Sequence, residues 1–379
     1  MKPLCHVVPS SITMSLDKQA KELIASGRDV INLTAGQVDL PMPQSGKDAV
    51  IDALSADRTG YIPATGSADV KAAVRNRMGW QDGSILISAG AKPLVSAAVA
   101  CLNGPGDEIL LPVPCYTSYP EMIRLSGAVP VPVGGDPENR FTVSKTALEQ
   151  AVSPRTKALL FNNPVNPTGT VYCREELRAI VDFCKERDLW LVADEVYGTF
   201  VYDDPFVSLY EFAEVRDRLI LINSASKSYA MAGLRLGYAV APDTVADAVA
   251  AYLSHMLGCP CSLSERAAIA VLQDDTRFCR DLREIFRARR DALYPELAAI
   301  PGIRVEKSAG AFYLWLDIHE TGMHDVDFCR DLLDRESVAL TPGSAFLCPG
   351  FVRLAYTQPS PVLRNAAERL RRFVADSRS

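Results

Sequence analysis

The chain has 379 residues, 48% apolar and 23% charged, with a formal net charge of −6. That length exceeds one ordinary hydrophobic core, so a soluble globular protein of two domains is expected. The acidic balance, without a dense Lys/Arg run, excludes a nucleic-acid surface, and no apolar stretch is long enough to cross a bilayer.

The opening residues, MKPLCHVVPSSITM, lack an apolar run followed by a small-residue cleavage site, so a cytoplasmic protein is the expectation. Ten cysteines run from Cys5 to Cys348 without a disulfide rhythm, and reduced, mostly structural thiols are expected. Cys259-Pro260-Cys261 has no second pair to complete a zinc site, and with four histidines, at 6, 255, 319 and 324, no metal centre is expected.

Residues 15–26 (SLDKQAKELIAS) have helical composition and stop at Gly27, and DVINLTAG then reads as a strand leading to Gly36. Thr59-Gly60-Tyr61-Ile62-Pro63-Ala64-Thr65-Gly66 is turn chemistry. Residues 85–92 predict a strand entering a helix through small residues, and free N–H groups at such a helix start suit a phosphate. Residues 108–114 form another apolar strand, followed by Tyr116, which is either a core tyrosine or a flat face for a planar ligand. KALLFNN (157–163) is a third strand and runs into the turn around Asn166; residues 174–188 then carry Leu177, Ile180, Val181 and Phe183 at helical spacing. LWLVAD (189–194) is an apolar strand ending in Asp194.

The stretch from Arg218 to Tyr238, RLILINSASKSYAMAGLRLGY, opens with a buried-type strand and delivers Lys227 after a small polar turn. A lysine there is costly to bury unless its amine is partnered or has reacted. Ser224, Ser226 and Arg235 add hydroxyl and guanidinium donors suited to a phosphate. An amine beside a phosphate site suggests an imine with pyridoxal 5′-phosphate (PLP). Strands that each end in a polar group, separated by helices, predict a parallel sheet with a ligand outside its carboxyl ends. Helices near 243–258, 262–273 and 275–299 follow, then strands of a smaller sheet at 303–305 and 311–316. Arg353 lies in an alternating strand pattern, as a structural ion-pair partner or as a fork for a carboxylate.

S-A-S-K-S-Y-A-M-A-G-L-R-L-G-Y (224–238) closely resembles the Schiff-base segment of the class I/II, fold-type I PLP-dependent aminotransferases, of the aspartate aminotransferase kind. Further motifs follow in family order from Gly36 to Arg353, among them Asn166-Pro167-Thr168-Gly169, Asp194-Glu195-Val196-Tyr197, Ser308 to Tyr313 and Pro342-Gly343. The resemblance implies an α/β fold: a large domain with a mainly parallel seven-stranded sheet (residues 40–275) and a small α+β domain from both termini (1–39 and 276–379).

It also implies the site. Lys227 carries the cofactor and moves protons; Asp194 partners the pyridinium nitrogen; Tyr197 and Asn166 donate to the ring oxygen. Ser224, Ser226, Arg235 and the backbone of Ala91 and Lys92 hold the phosphate, with Tyr116 stacking on the ring. Tyr61 reaches across an obligate homodimer with shared active sites. Gly36, Asn166 and Arg353 face the substrate carboxylate, and Lys92 greets an acidic side chain. Val38 and Leu40 replace the family's proline and phenylalanine.

The expected activity is ping-pong amino transfer between an L-amino acid and a 2-oxo acid. The same scaffold also supports β/γ-elimination, cyclisation or oxidation of an amino acid. A PLP-sensing regulator needs a DNA-binding domain, for which the stretch before residue 20 is expected to be too short. A purely structural protein has no reason to keep Lys227, Asp194, Tyr197, Asn166 and Arg235 together.

Overall fold

A computed structural model describes residues 12–377 except 275; Cys5 and His6 lie outside the described residues. In chain order the strands are β1 (Ile31–Asn32), β2 (Ser84–Ser88), β3 (Glu108–Val113), β4 (Val129–Gly134), β5 (Thr156–Asn162), β6 (Trp190–Asp194), β7 (Leu219–Ser224), β8 (Gly237–Ala241), β9 (Arg304–Val305), β10 (Tyr313–Asp317), β11 (Val338–Ala339), β12 (Thr341–Pro342) and β13 (Phe351–Ala355).

Seven of them form one sheet in the order β2-β8-β7-β6-β5-β3-β4, and only β8 runs antiparallel to its neighbours. The near-continuous apolar runs of β5, β6 and β7 follow from burial on both faces. Leu159, Phe161, Leu191, Ala193 and Leu221 join one core, while Leu160, Val192, Ile220 and Ile222 join the core on the opposite face. The helix Arg174–Glu186 packs Leu177, Ile180, Val181 and Phe183 into the first of these, as its spacing predicts.

Two strands of this sheet are missing from the sequence reading. Val-Pro-Val-Pro-Val-Gly (β4) carries two prolines that remove ladder donors, a pattern tolerated because β4 pairs on one side only, with β3. Gly237–Ala241 (β8) follows the lysine segment directly, and its five buried residues give no alternation to read.

A four-stranded antiparallel sheet, β12-β13-β10-β9, packs with a third core that takes in Phe200, Phe286, Phe312, Leu316 and Phe373. The strand expected in DVINLTAG is only Ile31–Asn32, paired in parallel with Val338–Ala339. The first described helix, Ile12–Ala25, stops as expected at Gly27, whose φ is +89°. Among the described residues no helix is long and apolar enough to cross a membrane.

Candidate active site

The carboxyl ends of β5, β6 and β7 open onto a cavity of about 260 Å³. Gly36, Ala91, Lys92, Tyr116, Asn166, Asp194, Tyr197, Ser224, Ser226, Lys227, Arg235 and Arg353 all line it. Tyr61 does not: its side chain is wholly exposed.

Lys227 sits in a one-turn helix, Ala225–Ser228, capped by Ser224, whose Oγ accepts from Ser226 N at 3.0 Å. Its Nζ donates to the Gly36 carbonyl at 2.5 Å. Burial, then the Arg353 and Arg235 charges, push the amine down to about 8, against the pull of Asp194.

Asp194 closes β6 with little exposure. Its Oδ2 accepts from Tyr119 Oη at 2.7 Å and its Oδ1 from Val196 N at 3.2 Å. Burial raises its pKa, while these donors and the Lys227 charge lower it, so a cation placed against the carboxylate favours the ionised form. Asn162 Nδ2 donates to the Asp194 carbonyl at 2.8 Å, and Asn162 Oδ1 accepts from Asn166 N at 2.9 Å.

At the other end lies an anion cradle. The helix Ala91–Leu102 starts here, so its first N–H groups have no acceptor one turn back. Arg235, held with φ +56°, donates to the carbonyls of Ala232 (3.0 Å) and Ala89 (3.3 Å). A Cβ on Gly90 would stand 2.3 Å from Arg235 Nη2, so the guanidinium occupies space that only glycine leaves. The Ser224 hydroxyl already donates to the Leu236 carbonyl at 2.9 Å, so Ser224 shapes the turn and Ser226 and Arg235 are left to meet an anion.

Arg353 enters from β13. Its Nη1 donates to Asn166 Oδ1 at 2.8 Å and its Nη2 to the Thr34 carbonyl at 2.5 Å, while its buried Nε has no partner among the described residues. Its Cζ lies 4.4 Å from the Tyr313 ring centre and 4.8 Å from that of Phe346. The 36–40 loop is fixed by Asp39, which takes both Arg289 Nη groups at 2.8 Å.

Tyr119 does not stand out in the sequence: it lies three residues beyond Tyr116 at the start of the helix Tyr119–Leu125 and resembles a core position. Tyr313 ends the Ser308–Tyr313 motif and opens the apolar β10, with no role of its own legible there. Tyr313 Oη is 2.8 Å from Tyr197 Oη.

An amine, a buried acid, an anion cradle and an arginine lining the same cavity are the groups that the aldehyde, ring nitrogen and phosphate of PLP, and a substrate carboxylate, require. The residues present fit that cofactor.

The family model for aminotransferase class I and II matches residues 28–370. Aspartate aminotransferase of Geobacillus stearothermophilus is 36% identical over 98% of both chains. A probable aspartate/prephenate aminotransferase of Aquifex aeolicus is 37% identical, covering 98% of this chain and 97% of its own. The solved aspartate aminotransferase from Thermus thermophilus with maleate superposes with a TM-score of 0.93 at 33% identity, over 98% of this chain and 100% of that one. The chain therefore belongs to the class I and II aminotransferases. It is a PLP-dependent aminotransferase, and the comparisons favour amino transfer over elimination, cyclisation or oxidation.

Proposed function

We propose that aspartate is the amino donor and a 2-oxo acid the acceptor. Arg353 carries this reading: a planar fork that lines the cavity, braced by Asn166 and Thr34, suits an α-carboxylate. Lys92, whose Nζ lies 5.5 Å from the Tyr116 ring centre, adds a second cation at the same cavity for a side-chain carboxylate. The names of the relatives, and the dicarboxylate in one solved relative, support the acidic substrate.

Bound PLP supplies the sink for the electron pair left when the substrate Cα–H bond breaks. Lys227 Nζ would hold its aldehyde covalently and, once displaced by substrate, take the proton from Cα and return it. With a pKa of about 8, roughly a tenth of such an amine is neutral at pH 7, enough to act as a base. Asp194 would keep the ring nitrogen protonated, and Tyr197 and Asn166 would donate to the ring oxygen. Arg353 and Asn166 orient the carboxylate and so choose which Cα bond faces the lysine.

Two copies pair, with Tyr61 of each, wholly exposed in a single copy, reaching the other's phosphate site. Residues 40–275 act as the cofactor domain and 1–39 with 276–379 as the substrate-carboxylate domain, in a cytoplasmic enzyme. Amino donors screened against 2-oxoglutarate and pyruvate test the substrate. Aspartate should give the highest kcat/KM, and a higher value for an aromatic or aliphatic donor overturns the proposal.

A further inference from the structure

Tyr313 ties together parts of the site that come from distant segments. Its hydroxyl lies 2.8 Å from that of Tyr197. Its ring lies beneath Arg353, 4.4 Å from the guanidinium carbon. The same hydroxyl fills the place of the missing Gly36 side chain, since a Cβ there would stand 2.0 Å from it. The Gly36 carbonyl in turn receives Lys227 Nζ at 2.5 Å. Both tyrosines are buried, and neither hydroxyl has another hydrogen-bond partner among the described residues.

A phenol carries one proton. If Tyr197 spends its proton on the cofactor's ring oxygen, its own oxygen is left to accept, and Tyr313 is the donor within reach. A hydrogen bond received by a phenol oxygen makes that phenol a stronger donor, and it fixes where its proton points. Without Tyr313's hydroxyl, the Tyr197 oxygen is left bare in a buried site and its proton is free to swing.

We propose that Tyr313 is a positioning residue: by donating to Tyr197 it aims the Tyr197 proton at the cofactor's ring oxygen. The inference rests on the cavity being the PLP site.

The variant Tyr313→Phe keeps the ring beneath Arg353 and removes only the hydroxyl. The readout is the pH midpoint of the visible absorbance of the PLP-loaded enzyme, with PLP affinity by equilibrium dialysis beside it. The high-pH form places negative charge on the ring oxygen, which the Tyr197 proton stabilises, so weakening that donor raises the midpoint. A rise of roughly one pH unit is expected, the size of one lost hydrogen bond, with PLP bound several-fold more weakly. kcat should fall about ten-fold while KM for the amino acid changes little, because Arg353 keeps its support. Tyr197→Phe should raise the midpoint at least as far, and adding Tyr313→Phe to it should raise it no further.

A Tyr313→Phe midpoint equal to wild type, or shifts that add in full in the double variant, overturns the proposal. A wild-type protein that never becomes coloured with PLP overturns the underlying cofactor reading instead, and the two failures are told apart by that control.

Discussion

Arg353 donates from Nη1 to Asn166 Oδ1 at 2.8 Å, joining β13 of the four-stranded sheet to the turn that follows β5 of the seven-stranded one. Each residue orients the other, so the carboxylate site proposed above is a pair already set at fixed separation. Replacing Arg353 by Lys removes the planar fork and leaves Asn166 Oδ1 unpartnered. With charge-assisted bonds worth about 1.5–3 kcal/mol each, kcat/KM for the amino acid should fall ~10²–10⁴-fold, mostly through KM. Steady-state kinetics check this, and PLP absorbance should be retained.

Lys227 gives a pH dependence of known sign. Its amine is at about 8 in the folded chain against an ordinary 10.5. Between those values the unfolded chain binds more protons than the folded one, so stability of the cofactor-free protein rises with pH across that window. Lys227→Met should flatten this rise in denaturant melts taken from pH 7.5 to 10.5. The same variant should take up no mass from PLP on borohydride reduction and lose at least ~10³-fold in kcat.

Gly36→Ala places a methyl 2.0 Å from Tyr313 Oη and 3.1 Å from a Phe312 ring carbon. Both rings are buried, so the strain should cost about 1–3 kcal/mol in a urea melt. Activity should fall with it, because the loop that receives Lys227 moves.

Tyr119→Phe strips Asp194 of its 2.7 Å hydroxyl donor. Less favoured as an anion, the carboxyl should titrate higher and grip the cofactor's ring nitrogen less well. PLP dissociation should be about five- to thirty-fold easier, as measured by equilibrium dialysis.

The parallel centre of the fold is legible because β5, β6 and β7 are short runs of aliphatic residues, each ended by a polar group. Asp194 and Lys227 are legible for the same reason, since a charge next to such a run demands a partner. The edge strand β4 is hidden by its prolines, and β8 by burial that leaves no alternation. The contacts of Tyr119 and Tyr313 are hidden because they reach side chains 75 and 116 positions away, which local pattern does not encode. At Gly36 the structure adds a reason for glycine that the sequence does not carry: a Cβ there would meet the Tyr313 hydroxyl at 2.0 Å.

Arg353 leans on the carbonyl of Thr34, so the carboxylate fork needs residues from both ends of the chain, while the amine, the acid and the anion cradle all lie between residues 91 and 235. During synthesis on the ribosome Asp194, Lys227 and Arg235 are therefore made more than a hundred residues before Arg353. Under the roles proposed above, the groups for the cofactor precede the arginine for the substrate in order of manufacture.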